Sequence, residues 1–254
     1  MDDELIQIFC NALKAAKTAV LSSKNKALDN KANIQTKADI ISQDVIINFL
    51  KENNVSCKIY SEELDEPLVL SGGKYDVVMD PLDGSFMFLK GIRAFASIAV
   101  IVLGGNKVKC AFVQSIAEDN LYHCDEKGAY LNGNKINCIG EDATKTPYLI
   151  AGYSSRKNLF DKILAIGNLK SDFRFLNSSG SLFSAMVASN NISAAIEFEP
   201  ASFYEFAGAM IAQKAGAFVE TAEGNSISVN PFARQTLIVA NSKELLKEIQ
   251  QVLK

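Results

Sequence analysis

Two aspartates that stand three positions apart at the end of an apolar run are the first residues that could do chemistry. In "YDVVMDPLDGSF" they are Asp80 and Asp83, with Pro81 between them and Gly84 and Ser85 behind. The residue before a proline favours extended geometry, which predicts Asp80 at the end of a strand. Gly84 permits a sharp turn, and Ser85 can cap a helix that follows. Both carboxylates are therefore predicted to project from one turn at a strand's carboxyl end.

Two carboxylates at such a place indicate a cation site. Open α/β sheets bind ligands at the carboxyl ends of their strands, and neighbouring carboxylates repel each other unless a cation lies between them. Oxygen ligands without histidine or thiolate favour Mg²⁺, Ca²⁺ or Mn²⁺. The free amides of Gly84 and Ser85 suit a phosphate oxygen. The alternative interpretation is a plain turn with a helix cap, since Asp, Pro, Gly and Ser are the usual turn residues.

Three further acidic stretches accompany this turn. "YSEELDE" places Glu62 and Glu63 after an apolar stretch, "IQTKADIISQD" places Asp39 at the start of a helix, and "SFYEFAGAM" opens a helix with Glu205. Each alone is typical of an ordinary feature: a solvated acidic loop, a helix cap, and a first-turn acid that the helix dipole favours. Their order and spacing carry the information.

Together these stretches resemble the inositol monophosphatase-like family of Mg²⁺-dependent, lithium-sensitive phosphatases. "SEEL", "DPLDGS" and "YEFAG" match its Glu-Glu loop, its DPxDG[ST] turn and its distal Trp-Asp-x-Ala-[AG]-Gly segment. "KGAYLNGNKI" and "SSGSLFSAMVA" are also similar, so the resemblance covers nearly the whole chain. The family includes inositol monophosphatase, fructose-1,6-bisphosphatase and 3'(2'),5'-bisphosphate nucleotidase branches. The resemblance implies an α/β (α+β) fold, a layered αβαβα sandwich.

The resemblance also implies a site with two or three Mg²⁺ ions, where Mn²⁺ can substitute and Ca²⁺ or Li⁺ inhibits. By matching position, Glu62, Asp80 and the backbone carbonyl of Leu82 hold the first ion. Asp80, Asp83 and Glu205 hold the second, and Glu62 also contacts a weaker third. A cation that lowers the pKa of water, with a second that stabilises the leaving oxygen, would hydrolyse a phosphomonoester without histidine.

The remaining implied roles concern the attacking water and the substrate. Ser85, paired with Asp39, would position the water together with Glu62. The implied substrate contacts come from both halves of the chain: Asp83, Gly84, Ser85, Gly180, Ser181 and Glu199. The register between Glu199 and Glu197 as a ring-binding acid stays open, and an exposed strand edge is the alternative interpretation for both.

Three positions depart from the family pattern. Glu205 stands for the family's Asp, Tyr204 for its Trp and Met87 for its Asn. The replacements at Glu205 and Tyr204 predict a second metal that is shifted or bound more weakly. The resemblance implies a small phosphate ester as the substrate, of the inositol monophosphate or sugar phosphate type, with fructose 1,6-bisphosphate or 3'-phosphoadenosine 5'-phosphate as alternatives. A degenerate member that binds metal or metabolite and acts as a regulator is the alternative of another class. A calcium-binding module fits poorly, since no EF-hand spacing is present.

The elements that must position these residues follow from hydrophobic periodicity. Helices are predicted over about 2–22 and 38–53, and a nearly all-apolar strand over 94–103 indicates a sheet covered on both faces. Asn132-Gly133 is a hairpin signal. After Pro147 strands and helices alternate, with helices predicted over 157–167 and 203–216 among them, which favours α/β layering. One phosphatase domain is predicted over 1–254, with an α+β half over about 1–145 and an α/β half over about 146–254.

Composition excludes several classes. The 254 residues carry a formal net charge of -3 with no basic tract, so nucleic acid is not an expected partner. The first residues are acidic rather than signal-like and no apolar run reaches membrane length, which predicts a cytoplasmic protein with no membrane partner. Five cysteines without a paired CxxC motif indicate reduced thiols. The single histidine, His123, is expected to be structural. A homodimer is expected from the resemblance alone.

Overall fold

The computed structural model describes residues 3–23, 36–140, 145–153, 160–178 and 180–254. Its α-helices are α1 (Asp3–Ser22), α2 (Lys37–Glu52), α3 (Ser85–Leu89), α4 (Phe160–Ile166), α5 (Ser181–Ala188), α6 (Ala207–Ala215) and α7 (Lys243–Val252). Two short 3₁₀ turns cover Arg93–Phe95 and Phe203–Phe206. α1 and α2 match the two helices that periodicity predicts at the start of the chain.

The strands fall into two groups along the chain. The first group is β1 (Cys57–Ser61), β2 (Leu68–Leu70), β3 (Tyr75–Asp83), β4 (Ser97–Gly104), β5 (Lys107–Ser115), β6 (Leu121–Cys124), β7 (Ala129–Leu131) and β8 (Asn134–Ile136). The second is β9 (Tyr148–Tyr153), β10 (Phe173–Asn177), β11 (Ala194–Ser202), β12 (Phe218–Glu220) and β13 (Arg234–Ala240). The predicted Asn132-Gly133 turn joins β7 to β8.

Each group forms one mixed sheet. The large sheet has the order β2-β1-β3-β4-β5-β6-β7-β8, in which β1 and β3 are parallel and all other neighbours antiparallel. The small sheet has the order β10-β9-β11-β13-β12. β9 lies parallel to β10 and β11, while β13 is antiparallel to β11 and β12. The carboxyl ends of β1 and β3 therefore meet at one edge of the large sheet.

Helices cover both faces of the large sheet. On β4 the alternate residues Ile98, Val100 and Val102 pack in a core with α1 and α2. Ala99, Ile101 and Leu103 face a second core, which contains residues of α5, α6 and β13. This explains why β4 is apolar at nearly every position, as predicted for a strand buried on both faces.

A third core lies on the far side of the small sheet, where Ile166 of α4 and Leu246 of α7 pack against Ile196 and Ile238. The order of layers is thus α1 and α2, large sheet, α5 and α6, small sheet, α4 and α7. The αβαβα sandwich that the resemblance implies is confirmed. The central core draws residues from both sheets, so the two halves of the chain share it.

Some local predictions differ from the structure. β3 continues to Asp83 instead of ending at Asp80, because its pairing with β4 resumes at Asp83 after a register irregularity. Gly84, in the left-handed region with φ 84°, is the N-cap of α3, so the prediction that Ser85 caps this helix is wrong. The predicted helix over 203–216 divides into a 3₁₀ turn and α6. The start of the helix predicted at 157–167 lies outside the described residues.

Cysteine and histidine have the structural roles that the sequence predicts. All five cysteines are free thiols, and four of them are buried. His123 stacks between two aromatic rings, with centroid distances of 6.0 Å to Phe112 and 4.8 Å to Tyr130. Burial lowers the pKa of His123. In the part of the chain that the structure describes, no helix is long and apolar enough to cross a bilayer.

The two central helices approach each other closely at Gly208. A Cβ atom at this position would lie 1.8 Å from the carbonyl oxygen of Ser181 and 2.7 Å from the backbone nitrogen of Ala185. Real Cβ contacts are never this short, so only glycine permits the crossing. The glycine of the "YEFAG" segment is therefore a packing residue.

We predict that Gly208→Ala lowers the free energy of unfolding by at least about 3 kcal/mol, because the added methyl group must push α6 away from α5. Alanine's better helix propensity recovers only about 1 kcal/mol. The midpoint of urea unfolding measures the difference. Gly140→Ala is the control: its Cβ would sit 3.6 Å from the Cβ of Ser242, an ordinary contact. Equal midpoints for both variants would contradict the close crossing.

Candidate active site

Four carboxylates come from three elements that end at the same place. Glu62 directly follows β1, and its backbone N–H donates to the carbonyl of Met79 on β3 at 3.2 Å. Asp80 and Asp83 lie in the last part of β3. Glu205 lies in the 3₁₀ turn before α6, and this turn packs against β3 and β4. Residues far apart in sequence are thus gathered at one edge of the large sheet.

Asp39 forms a pair with Ser85. The hydroxyl of Ser85 donates to Asp39 Oδ1 and also lies 2.6 Å from the carbonyl oxygen of Leu82. Asp39 is 1% exposed, and its other oxygen accepts from the backbone N–H of Thr36 at 2.6 Å and from its hydroxyl at 2.5 Å. This is the capping box of α2, so a helix start holds Asp39 in place. The structure brings together the Ser-Asp pair that the resemblance implies.

The turn after Asp80 is fixed by its own side chain. Asp80 is 3% exposed, and its Oδ1 accepts from the backbone N–H of Leu82 at 3.0 Å. Gly84 then passes so close to the carbonyl oxygen of Phe95 that a Cβ would lie 2.4 Å from it. The sequence-based view of a tight turn is correct at this point, and the turn holds two carboxylates.

Asp83 joins the large sheet to α5. Its Oδ2 accepts from the backbone N–H of Ser181 at 2.7 Å and from the hydroxyl of Ser97 at 3.4 Å. Gly180 lies against the same carboxylate, and its φ of 108° together with this contact leaves room only for glycine. The backbone N–H of Gly180 donates to Glu197 at 2.8 Å. The amides of Gly180 and Ser181 are therefore both engaged by carboxylates of the chain, and the assignment of these two residues as substrate contacts stays a prediction.

Glu205 is held from two sides. The backbone N–H of Ser202 donates to Glu205 Oε1 at 3.3 Å, and the hydroxyl of Ser181 donates to the backbone carbonyl of Glu205 at 2.6 Å. Ser202 is contacted in turn by the guanidinium of Arg234, whose Nη1 lies 2.9 Å from the Ser202 hydroxyl. Glu205 is thus tied to α5 through its backbone and to β11 through its carboxylate.

Burial and mutual repulsion raise the pKa values of these acids. Burial is the largest cause for each, and it raises the pKa of Glu62, Asp83 and Glu205 to about 7. Repulsion adds to it, from Glu205 on Glu62 and from Asp83 on Glu205. The pKa of Asp80 is raised well above its usual range by burial and then by Glu62. Glu62 is the most exposed of the four, so water screens its interactions most.

Positive side chains offset little of the negative charge of these four acids. Arg234 lowers the pKa of Glu62 and of Glu205, but less than burial raises it. Within the described residues, no three acidic, cysteine or histidine side chains converge into a ready set of metal ligands. The carboxylates are therefore gathered and electrostatically coupled without pointing at a common centre.

A cavity of about 160 Å³ opens beside the carboxylates. Asp83, Glu197 and Glu205 lie on one side, and Phe86, Met87 and Phe95 line the other. A larger cavity, of about 740 Å³, lies between α1 and β6, away from the acids. The smaller cavity is the candidate active site, because there the acids meet an apolar wall that a substrate's carbon skeleton could contact.

The structure distinguishes Glu197 from Glu199, the two acids that the sequence leaves as alternatives. Glu197 is 8% exposed, contacts Gly180 and lines the cavity. Glu199, two positions on in the irregular part of β11, is half-buried and is not among the described residues that line the cavity. The assignment of Glu199 as a substrate contact stays a prediction, and the geometry favours Glu197.

Sequence reasoning missed Ser202 and Arg234. Arg234 is separated from Glu205 by 28 intervening residues and comes beside it only because β11 pairs with β13, where Ser202 lies opposite Arg234. No short-range pattern signals such a contact. The sequence shows the Ser-x-x-Glu spacing of Ser202 and Glu205, which is typical of a helix start and could have identified Ser202.

The layered αβαβα sandwich and its acid-lined cavity agree with the phosphatase family that the sequence resembles. The profile of the "Inositol monophosphatase family" matches residues 1–254. The chain belongs to this family, which confirms the resemblance seen in the sequence.

Individual relatives agree. A "Fructose-1,6-bisphosphatase/inositol-1-monophosphatase" from Methanocaldococcus jannaschii is 32% identical over 225 residues, which cover 85% of this chain and 83% of the relative. A "Nus factor SuhB" from Pseudomonas aeruginosa is 26% identical over 187 residues, 70% of this chain and 66% of that protein. A solved "inositol monophosphatase-fructose 1,6 bisphosphatase" superposes with a TM-score of 0.80 at 26% identity, over 97% of this chain and 98% of that one.

The raised pKa values predict how stability depends on pH. Without divalent cations, Glu62, Asp83 and Glu205 keep protons up to pH about 7, whereas in the unfolded chain they lose them near 4. The folded state then binds more protons than the unfolded state between these values, so the free energy of unfolding falls as pH rises.

We expect the melting temperature in EDTA to decrease from pH about 5 to about 7, and the decrease to be shallower for Asp83→Asn, which removes one of the titrating groups. Differential scanning calorimetry of both proteins measures the two slopes. Comparison with the variant cancels the contributions of groups that Asp83 does not influence, such as His123, while the loss of its charge also lowers the pKa of Glu205 and so makes the slope shallower still. Equal slopes would show that Asp83 does not carry a raised pKa.

Proposed function

We propose that this protein is a divalent-metal-dependent phosphomonoesterase that acts on a small phosphorylated metabolite. The observation that carries the proposal is a group of mutually repelling carboxylates with raised pKa values, Glu62, Asp80, Asp83 and Glu205, beside a Ser85–Asp39 pair. Such a group lowers the stability of the fold, and acids with strongly raised pKa values are concentrated at functional sites. Membership of a phosphatase family supports the same conclusion.

The chemistry of the side chains fits Mg²⁺. The possible ligands are carboxylates and the carbonyl of Leu82, all hard oxygens, which suit Mg²⁺ or Mn²⁺ and not zinc or copper. Burial and repulsion are relieved when a cation joins the acids, so binding would release the protons that they hold near pH 7. Asp80 with Glu62, and Asp83 with Glu205, are the pairs that would share the ions. When bound, Mg²⁺ would lower the pKa of water and stabilise the leaving oxygen.

The chain's own residues would orient the attacking water. Because Ser85 donates its proton toward Asp39 or Leu82, its oxygen keeps lone pairs that can accept a hydrogen bond from water. Asp39, fixed by the α2 capping box, holds this orientation. Glu62, which is open to solvent, could accept a hydrogen bond from the same water. The N–H groups at the start of α3 would bind phosphate oxygens.

The residues that line the cavity support one class of substrate. Phe86, Met87 and Phe95 offer apolar contact, and Glu197 offers an acceptor for a hydroxyl group. Among the described residues that line it, none is lysine or arginine. We therefore propose a polyhydroxylated leaving group of the inositol or sugar type, which agrees with the dual name of the M. jannaschii relative.

We predict that Asp83→Asn lowers phosphate release by about 100-fold or more at every Mg²⁺ concentration, because it removes a metal ligand. The test measures release from inositol 1-phosphate, fructose 1,6-bisphosphate and 3'-phosphoadenosine 5'-phosphate. Asp76→Asn is the matched control, since Asp76 lies on the same strand, near its opposite end. Retained turnover in Asp83→Asn would overturn the metal assignment.

A regulatory member is the second candidate. The relative named Nus factor SuhB and the departures at Glu205 and Met87 favour it. The same assay separates the two: Mg²⁺ binding without turnover on any of the three substrates would favour the regulator. Turnover that depends on Mg²⁺ and is inhibited by Li⁺ would favour the enzyme.

A further inference from the structure

The guanidinium of Arg234 bridges two groups at the end of the neighbouring strand. Its Nη1 donates to the Ser202 hydroxyl at 2.9 Å, and its Nη2 donates to the Pro200 carbonyl at 2.8 Å. Arg234 is the first residue of β13 and lies opposite Ser202 on β11. The planar fork of arginine suits such a pair of acceptors, which lysine could not hold together.

The stretch from Pro200 to Ser202, which Arg234 bridges, is an irregular part of β11. The pairing of β11 with β13 is regular up to Glu197 and shifts before it resumes at Ala201. Pro200 has no N–H and cannot donate to the ladder. The chain then turns sharply into the 3₁₀ turn Phe203–Phe206. Packing against β3 and β4 and the Ser181 contact hold the turn itself, while the Arg234 contacts fix the Pro200 and Ser202 groups from which it starts.

A chain of hydrogen bonds leads from Arg234 to the site. Ser202, held by Arg234, donates its backbone N–H to Glu205 Oε1. The backbone carbonyl of Glu205 accepts from the Ser181 hydroxyl, and the Ser181 N–H donates to Asp83. A displacement of Ser202 would therefore move the carboxylate of Glu205 relative to Asp83.

We propose that Arg234 is a positioning residue, which holds Ser202 and thereby sets where Glu205 presents its carboxylate to a divalent cation. The inference rests on the proposed function, because it takes Glu205 as a metal ligand. It adds a residue from β13 to a site otherwise built from α2, β1, β3, α3, α5, β11 and the turn before α6.

The positive charge of Arg234 affects metal binding in the opposite direction from its hydrogen bonds. A cation beside Glu205 repels Mg²⁺, so loss of the charge alone would strengthen metal binding. Arg234 is exposed, however, and water and salt screen its charge. The two hydrogen bonds act at fixed short distances, and we expect their loss to dominate. The sign of the change in metal affinity therefore distinguishes positioning from simple repulsion.

The test measures Mn²⁺ binding by the electron paramagnetic resonance of free Mn²⁺, without substrate. We expect Arg234→Ala to weaken Mn²⁺ binding by about tenfold. Arg234→Lys, which keeps the charge and can reach one acceptor, should fall between wild type and Arg234→Ala. Ser202→Ala should weaken binding as well, and the double variant should be little worse than either single one, because both remove the same link. Arg174→Ala, an exposed arginine on the edge strand β10, should leave binding unchanged.

Activity assays supply an independent readout. Arg234→Ala should raise the Mg²⁺ concentration for half-maximal activity while KM for the phosphate ester stays near the wild-type value. Unchanged or tighter Mn²⁺ binding would overturn the inference. A raised KM with unchanged Mn²⁺ binding would also overturn it and make Arg234 a substrate contact. If Arg234→Ala does not fold, Arg234→Lys and Ser202→Ala decide the question. Wild-type protein that binds no Mn²⁺ would overturn the proposed function and this inference together.

Discussion

The close crossing of α5 and α6 is the constraint on which the site depends. Gly208 lets the backbone of α6 approach Ser181, and Ser181 then reaches both halves of the site. Its N–H binds the Asp83 carboxylate from the large sheet, and its hydroxyl binds the carbonyl of Glu205. One residue thus joins two carboxylates that are far apart in sequence. Wider spacing of the helices would separate the acids while leaving both sheets intact.

The gathered acids lower the free energy of unfolding, and the apolar cores on both sides of the sheet offset this loss. Each carboxylate loses hydration and repels its neighbours, as the raised pKa values of Glu62, Asp83 and Glu205 show. Directly behind them, β3 and β4 are buried on both faces by apolar cores. The rigid sheet therefore holds the like charges together where flexible loops would let them move apart. A site of this kind departs locally from the rules that stabilise the rest of the fold.

Much of the fold could be predicted from the sequence because the informative signals are local. The apolar run of β4 and the periodicity of α1 reflect burial that each segment shows by itself. β2 and β12 have three residues each and are too short for a periodic pattern. The end of β3 was misplaced because Pro81 suggests a stop, whereas tertiary pairing with β4 extends the strand to Asp83.

The residues of the site also divide into those with a local sequence signal and those that only tertiary contacts bring together. Motif residues on one turn, such as Asp80 and Asp83, could be recognised, and so could the Ser85–Asp39 pair through resemblance. The contact of Glu197 with Gly180 depends on how β11 approaches α5. The contact of Arg234 depends on strand pairing across an irregular register. Neither has a sequence pattern, since both arise only when distant segments meet.

The fold accommodates the longer acid at Glu205. Its carboxylate reaches back to the Ser202 N–H, so the side chain supports the turn that carries it. Ser202 is in turn held by Arg234. If Glu205 also binds a cation, as proposed above, the residues that stabilise the turn at the same time orient the carboxylate toward Asp83.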